Sequence, residues 1–146
     1  LIMMALLPAV GEELLFRGII QRGLRKQTRN PHLAIWITAI LFSAVHFQIL
    51  GFIPRMLMGA AMGYLFFWSG NLWYPIIAHF TNNASAVILN YGAQHGSIDS
   101  NIENAGMDDP SIAGFSLLFS LMLLFVFKQF QESKKMSTKK GAEQLL

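Results

Sequence analysis

The stretch "AVGEELLFRGII", residues 9–20, decides how this chain is read. It sets Glu12, Glu13 and Arg17 inside a run that is otherwise apolar helix. Ionisable side chains at membrane depth cost about 2.5–3.5 kcal/mol each on insertion scales and mark function by default. Glu13 and Arg17 stand four apart, so on a helix they share a face and can pair, with the acid on the favoured N-terminal side. Glu12 is rotated about 100° from Glu13 and turns to a different neighbour.

The rest of the chain supplies the solvent. Of 146 residues, 53% are hydrophobic and 13% charged, where soluble domains carry about 25% charge. A soluble chain this short would leave much of that surface in water. The expected fold is therefore all-α, a polytopic transmembrane helical bundle with about five spans: residues 1–24, 31–47, 52–68, 72–91 and 111–130. Leu1 already lies in an apolar run, so the chain reads as the C-terminal part of a longer protein. No signal peptide is visible. There is no Cys, which excludes disulfides and thiolate metal sites. Residues 1–91 read as a catalytic membrane core and 92–110 as an acidic extracytoplasmic loop. Residues 111–130 read as a final transmembrane helix and 131–146 as a basic cytoplasmic tail.

Charge sorts by loop. Arg22, Arg25, Lys26 and Arg29 follow the first segment without an acid, and five lysines lie at or beyond the end of the last. Asp99, Glu103, Asp108 and Asp109 occupy the loop between the fourth and fifth. The positive-inside rule puts the basic loop and the tail in the cytoplasm of a multi-pass protein. Basic clusters beside apolar segments call for lipid headgroups of a bilayer rather than nucleic acid. "GAAMG", residues 59–63, is a small-xxx-small pattern that lets helices approach closely.

The second segment ends near His46, and the fourth holds His79 with Asn83 four residues on, sharing a face. At about 1.5 Å per residue, Glu12 and His79 lie at similar depths, whereas His46 falls about two turns deeper. A carboxylate can take a proton from water as general base. Imidazole and amide N–H groups can donate to an oxyanion forming on a scissile carbonyl. The same set, Glu12, His46 and His79, could instead hold a divalent metal such as zinc. The His-Glu-x-x-His spacing of zinc proteases is absent. Glu and His in a membrane also suit a proton or ion transporter, but no inverted repeat is visible.

"EELLFRG", "FSAVH" and "HFTNN" together resemble, in order, the EExxxR, FxxxH and HxxxN signatures of the CPBP intramembrane protease family, also called the type II CAAX prenyl endopeptidase or ABI family. The resemblance covers about residues 1–91. It implies an intramembrane endopeptidase, called a metalloprotease by family name, acting on a membrane-associated peptide or protein in a prokaryotic cell (inner) membrane. Carried over, Glu12 is the general base, with Glu13 and Arg17 in supporting positions. His46 orients the water or binds a metal, and His79 and Asn83 form the oxyanion site. Cofactor use is left open between none and a divalent metal. The alternative is a bacteriocin self-immunity or scaffold protein that binds without cleaving.

Overall fold

The computed structural model describes residues 2–95 together with 124, 125, 127–132 and 134, and all the described elements are helices. The chain divides into two compact units, Leu1–Ser97 and Ile98–Leu146. The first opens with one unbroken helical run: a π-helical turn Ile2–Leu6, α1 (Leu7–Glu13), a second π-helical segment Leu14–Gln21, and α2 (Arg22–Thr28). Then come α3 (Pro31–Ala44), α4 (Phe52–Ser69) and α5 (Trp73–Gln94).

Local chemistry sets the corners. Arg29 ends α2 in the left-handed region at φ 54°. Asn30 is extended, and its side chain accepts from the amides of His32 and Leu33 at 3.0 and 3.1 Å. Pro31 fills the first turn of α3, where its missing N–H leaves nothing unpaired. Gly70, at φ 69°, closes α4 with its N–H on the Phe66 carbonyl at 2.8 Å, a cap glycine makes without strain.

The π-helical segment Leu14–Gln21 has a packing consequence. In an α-helix, residues spaced by four drift about 40° per step around the axis. The wider turn of a π segment reduces that drift. Glu13, Arg17 and Gln21 are accordingly all buried, in one column along the run.

The column faces α4 at its glycines. Gly59 and Gly63 are buried where α4 crosses α3. A methyl on Gly59 would stand 3.1 Å from Phe42 Cδ1 and 3.3 Å from Ala39 Cα, and one on Gly63 would stand 2.9 Å from Ile35 Cγ2. The small-xxx-small pattern thus serves close packing, as its spacing predicts. Ile35, Ala39 and Ala60 form the core of this crossing, flanked by Met56, Tyr64 and Phe67. α5 packs on both the opening run and α4.

The structure revises several expectations. The helical bundle is present, but no helix among the described residues is long and apolar enough to cross a membrane. At 14 residues α3 extends about 21 Å, short of the ~30 Å hydrocarbon core. Among the longer helices, α4 carries Arg55 near its start, and α5 carries His79, Asn82 and Asn83. The second segment ends as helix at Ala44, so His46 lies on the following turn. α5 continues to Gln94, three residues into the expected acidic loop. The rest of that loop, much of the fifth segment and the end of the tail lie outside the described residues.

Candidate active site

α1 ends at the two glutamates, and the π segment carries Arg17 one turn further on. Glu13 and Arg17 are wholly buried and paired, with Arg17 Nη1 3.0 Å from Glu13 Oε1. Two buried charges are tolerable only when each is held by further partners. Arg17 Nη2 donates to the Gly59 carbonyl at 2.9 Å, an oxygen it reaches where glycine has no side chain in the way. The guanidinium also lies 5.0 Å from the centre of the Phe42 ring, a cation–π distance.

His79, 3% exposed on α5, completes the cluster from 66 residues away. Its Nδ1 lies 2.9 Å from Glu13 Oε1. A carboxylate only accepts, so Nδ1 carries the proton. Nε2 is thereby turned toward Glu12, whose Oε2 stands 3.8 Å away. That gap is too long for a hydrogen bond. Glu12 keeps 31% of its side chain exposed, so it is the accessible acid of the pair. Glu13 Oε2 is buried without a hydrogen-bond partner among the described residues.

Residues 1–85, which contain all of these side chains, match the family described as Type II CAAX prenyl endopeptidase Rce1-like. The chain belongs to that family. A Bacillus subtilis (strain 168) relative, named Uncharacterized protein YpbD, is 34% identical over 88 residues. The match takes in 58% of this chain and 42% of the relative, so the chain spans less than half of that protein's length. No solved structure matches.

The family's three signatures sit unequally in this site. Those on the opening run and α5 meet directly, through Glu12, Glu13, Arg17 and His79. His46 meets them through an intermediary. Its Nδ1 donates to the Phe42 carbonyl at 2.8 Å, and its ring packs on Phe42 with centroids 5.2 Å apart. The opposite contacts of Phe42 are His79 at 5.8 Å, edge to face, and Phe16 at 5.1 Å. Asn83 is half-buried one turn beyond His79, with Asn82 as its recorded neighbour at 3.5 Å.

Among the described residues, no three His, Cys, Asp or Glu side chains gather as a metal site. The Nδ1 bonds of His79 to Glu13 and of His46 to a backbone carbonyl leave each Nε2 as the available ring nitrogen.

Sequence reasoning passed over two residues that the site depends on. Phe42, 1% exposed, is the surface on which Arg17, His46 and His79 all rest. Its place in FxxxH was the available signal. Gln21 donates to the Gly63 carbonyl at 3.1 Å, repeating the Arg17–Gly59 bond one turn along. Its spacing of four from Arg17 was visible, but a polar residue beside a basic loop reads as interfacial.

Proposed function

We propose that this chain forms the catalytic core of a membrane endopeptidase in which Glu12 activates the attacking water. The observation that carries this reading is the placement of Glu12, the more accessible of the two acids, across 3.8 Å from a His79 that buried Glu13 holds in one tautomer. Glu12 takes the proton as the water oxygen attacks the scissile carbonyl, then returns it to the departing amine. The Asn83 amide N–H, one turn beyond His79 on α5, faces the developing oxyanion, and the unprotonated His79 Nε2 accepts from the attacking water beside Glu12. Glu13 and Arg17 position His79 and do not touch substrate. His46, anchored through Phe42, orients the water from the α3–α4 turn.

The proposed setting is a prokaryotic cell membrane, with the chain passing through it several times. Support comes from the helical run that continues from Ile2 to Thr28 and from large apolar side chains left exposed, among them Ile19, Ile40, Ile77 and Ile88. Such residues have a natural neighbour in lipid. The substrate class is a membrane-associated peptide or protein.

The test compares membrane-protein termini in cells carrying the full-length protein or its Glu12→Gln variant at matched expression. Termini present only with Glu12 are expected. Identical termini in the two strains would overturn proteolysis in favour of a binding or immunity role.

A further inference from the structure

The first unit is short of acid. Between Glu13 and Asp99 the sequence contains no Asp or Glu, and both glutamates before that gap belong to the His79 cluster. Arg22 and Arg25 therefore have no carboxylate partner among the described residues of their own unit. Each guanidinium instead lies over a phenyl ring of α4, Arg22 at 5.0 Å from Phe66 and Arg25 at 5.3 Å from Phe67. A guanidinium stacked by its face keeps its in-plane N–H edge free for an oxyanion.

These four residues, with Gln21 and Gly70, line a cavity of about 200 Å³. Gln21 is 4% exposed. Its Nε2 is used by the Gly63 carbonyl, and its Oε1 is buried without a partner among the described residues. The cavity thus offers two cationic donors that have no carboxylate of their own unit to satisfy them.

We propose that this cavity binds the headgroup of an anionic phospholipid. Arg22 and Arg25 hold the phosphate. This rests on the membrane placement proposed above. Binding is read without reference to proteolysis, so either reading can fail while the other stands.

The experiment titrates the full-length protein in neutral detergent with dioctanoyl phosphatidylglycerol, dioctanoyl phosphatidylcholine or inorganic phosphate, following bound lipid by native mass spectrometry. Saturable binding of the anionic lipid alone is expected. The Arg22→Gln/Arg25→Gln double variant should weaken it about tenfold or more, given the usual worth of a basic residue at an anionic headgroup. Lys26→Gln/Arg29→Gln removes the same charge from the same stretch, outside the cavity, and should change binding less than about threefold. All four positions are exposed, so helical circular dichroism should be unaltered in each variant. Equal loss in both double variants would show diffuse attraction and overturn the site. Equal affinity for phosphatidylcholine, or displacement by inorganic phosphate at the lipid's own concentration, would overturn the lipid assignment.

Discussion

His79 Nδ1 meets Glu13 Oε1 at 2.9 Å, joining α5 to the opening helical run beneath the more exposed Glu12. The bond divides two adjacent acids between two tasks. Glu13 holds the imidazole, and Glu12 is the acid that the proposed reaction leaves to take the proton.

Glu12→Gln should therefore remove activity while sparing the fold. Loss of a general base typically costs 10²–10⁴-fold, so turnover should fall by at least about 10². Measured cleavage with unchanged helical circular dichroism checks this, and retained turnover would shift the base to another residue.

Arg17→Met should act mainly on stability. It leaves the Glu13 carboxylate buried with its cation gone, and removing one partner of such a pair costs about 3–5 kcal/mol. Chemical unfolding would read that loss. The Glu13→Gln/Arg17→Met double variant should recover part of it, because no uncompensated charge remains.

Gly63→Ala probes the α3–α4 crossing. The new methyl would stand 2.9 Å from Ile35 Cγ2 and 3.0 Å from Gln21 Oε1. Overpacking of this kind costs about 1–3 kcal/mol. Adding Ile35→Ala removes the first obstacle and should return some of the stability, read as a shift in thermal midpoint.

Phe42→Leu keeps an apolar side chain but removes the ring beneath Arg17, His46 and His79. Turnover should fall more than substrate affinity, since the change loosens the reacting groups while leaving Glu12 itself in place. A parallel rise in KM with kcat intact would mean that Phe42 shapes substrate binding instead.

The i,i+4 spacing foretold the Glu13–Arg17 pair that the structure shows, and two of the three signatures named Glu12, Glu13, Arg17 and His79, which the structure brings together. Less legible was which acid His79 would choose, because that depends on how α5 lies against α1. Spacing on each helix separately does not encode it. The Gly59 and Gly63 pattern announced packing, but not that the carbonyls exposed by the missing side chains would receive Arg17 and Gln21. The π geometry of Leu14–Gln21 has no signature in apolar periodicity, which is why Gln21 was not assigned to the buried face.

The paired bonds Arg17 to Gly59 and Gln21 to Gly63 behave as two teeth of a rack. Each tooth spans 42 residues of sequence, and both steps along their helices equal four. A slip of one residue between the opening run and α4 would disengage both teeth at once, burying a guanidinium and an amide against apolar surface. Only a jump of a whole turn would re-engage them, and that would drag Glu13 away from His79. The mesh therefore fixes the register of the opening run against α4, the helix that leads into α5 and His79.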